Sequence, residues 1–253
     1  MIGGTRLWLW ERSVSTTGHT EKTKENTNKM YMHRIWMGGE MPERYRDYGL
    51  LWEKLNPDLT LWDWTEEEIM DTEWINTRVL HDMYKQSKQP GADMIAYYTH
   101  VADVVDYEII YQIGGWYFNT DLKPLKPLST LNYQINTPAL AMEDDVHAVN
   151  MAMYAPKNCT FFERVIRNLP MRYFGMPGAF MNATTGVQLL MQSLSEWPGY
   201  VRLYPRQVFN PIHFSDFNYG EYPEIDIDYP KETVAVHEWG HRTNQRGQRV
   251  LEP

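Results

Sequence analysis

Ala102-Asp103-Val104-Val105-Asp106-Tyr107, followed by Tyr111-Gln112-Ile113-Gly114-Gly115-Trp116-Tyr117-Phe118-Asn119-Thr120-Asp121-Leu122-Lys123-Pro124-Leu125, is the stretch that decides the fold. Met94, Tyr98, Val101, Val105 and Ile109 recur at spacings of three and four, which predicts a helix from Asp93 to Gln112. Gly114-Gly115 ends it, because glycine tolerates the left-handed conformation at a helix C-terminus. Trp116-Tyr117-Phe118 reads as a short buried strand that runs straight into Asn119-Thr120-Asp121. If the chain stays extended, Asn119 and Asp121 point the same way, since side chains alternate along a strand. Open α/β sheets place ligands at the carboxyl ends of their strands. A carboxylate at such an edge suits a hard divalent cation bridging a diphosphate. The competing reading is a loop whose Asn and Asp cap backbone groups. The helix, the glycine pair and the aromatic strand ahead of it favour the site.

Outward from this block the chain alternates strand and helix. Met32 to Met37 reads as a strand stopped by Gly38-Gly39, and Pro42 to Leu55 as a helix. Asn56-Pro57-Asp58 is a turn, and Leu59 to Trp64 a second strand. Thr65 followed by Glu66-Glu67-Glu68 is a helix start with acids in the first turn. Asn150 to Ala155 reads as a strand, Cys159 to Asn168 and Thr184 to Leu194 as helices, and Val201 to Leu203 and Val234 to Val236 as strands. This order predicts an α/β sheet. Residues 11 to 29 are polar and read as a flexible tail, which makes Met30 a plausible alternative start and 30–253 one domain.

Composition narrows the function classes. The chain has 253 residues, of which 43% are hydrophobic and 23% charged, ordinary for a globular protein with a sizeable core. Its net charge of −9 opposes tight binding to a phosphate backbone, so nucleic acid is not the expected partner. A single cysteine, Cys159, excludes an intramolecular disulfide and a Cys-rich metal site. No apolar run approaches the roughly 20 residues of a membrane span. A cytoplasmic location is the expectation.

The same block resembles the DXD-motif glycosyltransferases of the sugar-nucleotide-dependent GT-A fold. That group includes yeast-type initiating mannosyltransferases and capsular polysaccharide enzymes, and more distantly the large glucosylating toxins. Ala102-Asp103, Tyr107, Gly114-Gly115-Trp116-Tyr117 and Asp121, with Pro124 and Pro127, carry the likeness. So do His33 to Gly39, Asn56-Pro57-Asp58, Asn150 to Lys157, Thr185-Gly186, the Pro205, Phe209 and Pro211 segment, and Val236-His237-Glu238-Trp239. The resemblance implies a single GT-A domain with a mainly parallel sheet flanked by helices. It implies transfer of a hexose from a UDP- or GDP-sugar to a hydroxyl acceptor (glycan, lipid or other), with retention of anomeric configuration. Asp121, with His237, would hold Mn²⁺ or Mg²⁺ to assist the departing diphosphate. Ile35 and Trp36 would meet the base, and Asp103, Tyr107 and Asn119 the donor, with Asn119 and Asp121 as the catalytic element. Two positions depart from the family: Asn119 stands for its first Asp, and Asp106 for an Arg that contacts the donor. With Asp103 and Asp106 three apart, the expectation is that both face the donor and that an Arg restored at 106 tightens binding.

Other constellations compete. His237-Glu238-Trp239-Gly240-His241 is formally the H-E-x-x-H zinc-protease signature, but it follows an apparent strand, and Gly240 weakens any helix there. Asp226-Ile227-Asp228 is a literal D-x-D without a glycine pair or aromatic strand before it, and reads as a solvated edge. Glu143-Asp144-Asp145 reads as a solvated turn that falls where relatives bring a loop near the sugar. Trp62-Asp63-Trp64 reads as core packing. The departures at 106 and 119 also admit a catalytically silent nucleotide-sugar binder. Arg242, Arg246 and Arg249 keep open an enzyme acting on modified DNA bases.

Overall fold

The structure is a computed structural model, and it describes residues 30–216 and 228–240. Among the described residues eight strands run in chain order: β1 (Met30–Trp36), β2 (Leu59–Thr65), β3 (Gly115–Phe118), β4 (Leu122–Pro124), β5 (Ala139–Met142), β6 (Ala148–Ala155), β7 (Arg202–Tyr204) and β8 (Ala235–His237). The helices are α1 (Glu43–Leu55), α2 (Glu66–Asp71), α3 (Thr77–Ser87), α4 (Met94–Gln112), α5 (Thr160–Gly175), α6 (Met181–Thr184), α7 (Val187–Ser195) and α8 (Arg206–Phe209). The expected tail, residues 11 to 29, lies outside the described residues, as do His241, Asp226, Ile227 and the three C-terminal arginines.

Six strands form the central sheet in the order β2-β1-β3-β6-β5-β7. β1 runs parallel to β2 and β3, β5 runs parallel to β7, and β6 lies antiparallel between β3 and β5. The expected α/β architecture with a mainly parallel sheet holds. A separate two-stranded sheet pairs β4 with β8 antiparallel, setting Leu122 opposite His237.

Alternation along β3 divides the core. Trp116 and Phe118 join one apolar cluster with Trp52, while Tyr117 joins the other with Val104 and Val105. The Trp52 and Phe118 rings stack at 4.3 Å between centroids. Trp62 and Trp64 stack at 4.5 Å, and Trp64 is buried in the core, which is the packing role expected of them.

Local signals match the elements they predict. The Thr65 side chain accepts from the Glu68 amide while the Glu68 carboxylate accepts from the Thr65 amide, a reciprocal cap that starts α2. Gly115 has φ of 102° and an added Cβ there would sit 2.4 Å from the Tyr31 carbonyl oxygen. Its lack of a side chain is therefore what lets β3 lie against β1. Helix α4 is buried on most of its surface, beyond the single stripe its spacing suggested, because it is packed between the sheet and α3 and α5. The sequence reading did not place α3, β4, β5, α6 or α8, although Val79, Leu80 and Met83 of α3 stand at helical spacing.

One expectation fails at the carboxyl end of β3. The chain does not stay extended through Asn119-Thr120-Asp121. It turns, with the Leu122 amide donating to the Asn119 carbonyl at 3.1 Å. The turn lets the chain leave the central sheet and begin β4.

Candidate functional site

A cleft of about 1040 Å³ opens where β1 and β3 end, between the start of α4 and the β4–β8 sheet. Ile35, Trp36, Asp103, Asn119, Asp121 and His237 all line it. Residues separated by two hundred positions in the chain thus line one cleft.

The β4–β8 ladder joins Asp121 to His237. Asp121 Oδ1 lies 3.2 Å from His237 Nε2, and Asp121 Oδ2 accepts from the Gly240 amide at 2.7 Å. The Glu238 amide donates to the Asp121 carbonyl oxygen at 3.0 Å, which extends the pairing past the strand end. A Cβ on Gly240 would meet the Tyr45 hydroxyl at 2.2 Å and Asp121 Oδ2 at 3.2 Å. The backbone can approach the carboxylate only because residue 240 has no side chain. His237 Nδ1 is buried and has no hydrogen-bond partner among the described residues.

This donor set fits a divalent cation such as Mn²⁺. A carboxylate oxygen and an imidazole nitrogen are suitable ligands, and Asp121 Oδ1 and His237 Nε2 stand side by side at 3.2 Å. Among the described residues no group of three or more His, Cys, Asp and Glu is arranged to hold a metal. Further ligands would therefore come from the bound anion and water.

The cleft is acidic. Glu40, Glu43, Asp93, Asp103, Asp121 and Glu143 line it, against the single guanidinium of Arg46. Arg46 is already bound to Glu40 at 2.7 Å. Asp93 is also engaged, accepting from the Ile95 and Ala96 amides at 2.9 and 3.1 Å as the cap of α4. A phosphate group entering such a cleft needs a counter-cation.

The opposite wall carries the start of the α4 carboxylate system. Asp103 Oδ1 accepts from Asn150 Nδ2 at 2.9 Å, and Asp103 Oδ2 accepts from Thr185 Oγ1 at 2.9 Å. Burial pushes the Asp103 carboxyl up to about 6, against the lowering effect of those two hydrogen bonds. Trp36 at the end of β1 donates through Nε1 to the Gly39 carbonyl at 3.0 Å, and its ring lies 5.8 Å from that of Tyr45. Gly38, with φ of 83°, leaves room for the Tyr98 ring, which an added Cβ would strike at 2.4 Å.

Several expectations are corrected. Tyr107 does not reach the cleft: it is fully buried beneath it, and its hydroxyl donates to the Thr185 carbonyl at 2.9 Å. Its place four residues after Asp103 puts it on the same helix face one turn deeper, where that face is core. Asp106 faces neither the donor nor solvent. It is 1% exposed, and its Oδ2 accepts from Asn150 Nδ2 at 2.8 Å. The zinc-protease reading fails on backbone geometry, because His237 ends strand β8 and Trp239 has φ of 53°, where a metalloprotease helix is required. Asp228 is exposed and away from the cleft. Glu143 does line the cleft, with Oε1 3.3 Å from His213 Nε2, while Asp144 turns outward and binds the Val146 and His147 amides at 2.7 Å each.

Asn150 was not singled out by sequence reasoning. The only available signal was an amide interrupting the apolar run of β6, Ala148 to Ala155.

Comparison with known proteins bears on the family and the fold. The family described as a glycosyltransferase sugar-binding region containing a DXD motif matches residues 42–138. An inositol phosphoceramide mannosyltransferase from Schizosaccharomyces pombe is 27% identical over 174 residues, covering 66% of this chain and 44% of its own length. The chain thus spans less than half of that relative. Among solved structures, the PaToxG glycosyltransferase superposes with a TM-score of 0.54 at 16% identity, covering 68% of this chain and 70% of its own. The ligand-free glycosyltransferase domain of the YGT toxin does so with a TM-score of 0.50 at 10% identity, covering 74% and 82%. The likeness to DXD-motif glycosyltransferases is borne out in sequence, and the fold is of the GT-A type. Among the described residues no helix is long and apolar enough to cross a membrane.

Proposed function

We propose, taking the likeness to DXD-motif glycosyltransferases as the premise, that this chain transfers a hexose from a nucleoside diphosphate sugar to a hydroxyl acceptor, with a divalent cation at Asp121 and His237. The observation that carries this reading is the pairing of Asp121 with His237 at the floor of an acidic cleft. A diphosphate would be repelled there without a cation, and the two residues best placed to hold one are those two.

When bound, the cation supplies Lewis-acid stabilisation of the leaving diphosphate. The protein's own groups do the rest. Ile35 and Trp36 pack against the base. Asp103 accepts hydrogen bonds from sugar hydroxyls, held in place by Thr185 and Asn150. Asn119 offers an uncharged amide where the family carries an acid, so one less negative charge opposes the diphosphate. The Gly240 amide fixes the Asp121 carboxylate against rotation. Retention of configuration, a domain spanning 30–253 and a cytoplasmic setting belong to the same proposal. The relative's name makes a mannosyl nucleotide the first donor to try and a polar lipid headgroup the first acceptor.

A donor screen tests the reading. UDP- and GDP-hexoses are incubated with the protein in Mn²⁺ or in chelator, and released nucleoside diphosphate is measured. Mn²⁺-dependent release from at least one donor supports it. Equal release in chelator, or binding with no release from any donor, overturns the metal-dependent transferase.

A further inference from the structure

Asp106 is a carboxyl group that the proposed reaction does not use, and its surroundings are unusual. It lies on α4 one turn from Asp103, is 1% exposed, and has one oxygen, Oδ1, buried without a hydrogen-bond partner among the described residues. Its other oxygen shares the Asn150 amide nitrogen with Asp103: Asn150 Nδ2 donates to Asp103 Oδ1 at 2.9 Å and to Asp106 Oδ2 at 2.8 Å. Both amide hydrogens of Asn150 are then committed. The polar atom left on that side chain is Oδ1, an acceptor, and Asn150 lines the cleft beside Asp103.

We propose that Asp106 is a positioning residue for the donor sugar: by clamping the Asn150 amide together with Asp103, it sets Asn150 Oδ1 and the Asp103 carboxylate side by side as paired acceptors for neighbouring sugar hydroxyls. The inference rests on the nucleotide-sugar reading above and deepens it. Without Asp106, one Asn150 hydrogen loses its acceptor and the amide is free to rotate. The carbonyl and amino ends then exchange, and a donor hydroxyl meets an N–H where it needs an oxygen.

The protonation state supports this arrangement. Burial, and then the charge of Asp103, push the Asp106 carboxyl well above its usual range, so it is neutral while Asp103 ionises. Two carboxylates about one amide can coexist in an apolar bed only if one of them keeps its proton. The Tyr107 hydroxyl is coupled to the same pair and is itself pushed well up, first by burial and then by the charges of Asp106 and Asp103.

Calorimetric titration with Mn²⁺ present separates sugar contact from nucleotide contact. Native protein, Asp106→Asn and Asp106→Ala are each titrated with UDP-glucose against UDP, and with GDP-mannose against GDP. The expected result is that Asp106→Ala weakens the sugar nucleotide about tenfold, the loss of one well-formed hydrogen bond, and leaves the free diphosphate within about twofold. Asp106→Asn, whose amide oxygen keeps an acceptor for Asn150 and which does not ionise, restores affinity to within about threefold of native. Equal weakening of sugar nucleotide and free nucleotide, or no weakening of either, overturns the inference. So does failure of Asn to rescue while circular dichroism shows a native fold. If neither diphosphate nor its sugar form binds native protein, the nucleotide-sugar reading falls and this inference falls with it. Should Asp106→Ala fail to fold, Asn150→Ala carries the same expectation, from the other side of the same hydrogen bond.

Discussion

Asp121 Oδ1 sits 3.2 Å from His237 Nε2, across the ladder that β4 and β8 form outside the central sheet. Neither strand has a large apolar surface of its own. Their pairing is anchored by Leu122 and Val234 in the core and by the Glu238 amide, which donates to Asp121. The contact between the two side chains is therefore a consequence of backbone pairing, and it places an acid and an imidazole at the floor of the cleft.

The His237→Ala variant removes the imidazole and keeps the carboxylate. It is expected to weaken Mn²⁺-dependent donor binding about 10- to 100-fold while leaving thermal stability within a few degrees. Asp228→Asn, at an exposed position away from the cleft, is expected to change nothing. Donor titrations of both variants, reversed in order, would mean that the metal is held elsewhere.

Restoring the family pattern with Asp106→Arg is expected to destabilise the protein by at least ~3 kcal/mol, since a guanidinium would replace a buried neutral group. Urea denaturation measures this. A stable variant with tighter donor binding would show that the Arg reaches the cleft, contrary to the burial of residue 106.

His33 supplies a pH dependence with a definite sign. It is fully buried, accepts at Nδ1 from Trp64 Nε1 at 3.2 Å and donates from Nε2 to the Gly114 carbonyl at 3.1 Å. Burial lowers its pKa from 6.5 to about 4, the Gly114 contact opposing. The unfolded chain binds the proton first as pH falls, so His33 contributes stability that is present above about pH 6.5 and lost toward pH 4, an amount of at most ~3 kcal/mol. His33→Gln, which can still donate to Gly114, is expected to flatten the loss of stability over that window. An unchanged slope of unfolding free energy against pH would contradict it.

Gly115→Ala is expected to cost roughly 2 kcal/mol or more, because the residue has positive φ and its new Cβ would meet the Tyr31 carbonyl. Gly91→Ala is the control: φ is also positive, but an added Cβ meets nothing within 4 Å. Comparing the two by thermal unfolding separates the close approach from the backbone conformation alone.

Deleting residues 1–29 is expected to leave the melting temperature and donor binding unchanged, since the polar composition of 11–29 offers little apolar area to offset ordering entropy. A drop in melting temperature of several degrees would place the Leu7 to Trp10 segment on the folded body.

The elements around Gly114-Gly115 were legible because helix periodicity, a left-handed glycine and alternating aromatics are local signals. So were β1, α1, β2 and the Thr65 cap. Helix α3 went unread although Val79, Leu80, Met83 and Tyr84 stand at helical spacing, because the stripe spans barely two turns among polar neighbours, and β5 went unread because Ala139–Met142 is short. In the site, local spacing placed Asp103 on the cleft but misread Tyr107 and Asp106. Periodicity tells which residues share a face and not how deep along that face the core begins. The partnership of Asp121 with His237 was reached through family likeness, because no spacing argument links two strands in a separate sheet. Asn150 was missed because a single amide in an apolar strand looks the same whether it serves a site or satisfies the core.

The most direct test of the central claim is a Mn²⁺ titration followed by electron paramagnetic resonance, in the presence and absence of UDP or GDP, on native protein and on Asp121→Asn. The substitution keeps the shape of the side chain and an acceptor for the Gly240 amide while removing the charge. The account predicts that native protein sequesters Mn²⁺ with a nucleoside diphosphate present, and that Asp121→Asn, folded by circular dichroism, loses at least about 100-fold in that affinity. Equal Mn²⁺ binding by the two proteins, or nucleotide binding by native protein that is unaffected by chelator, would contradict it.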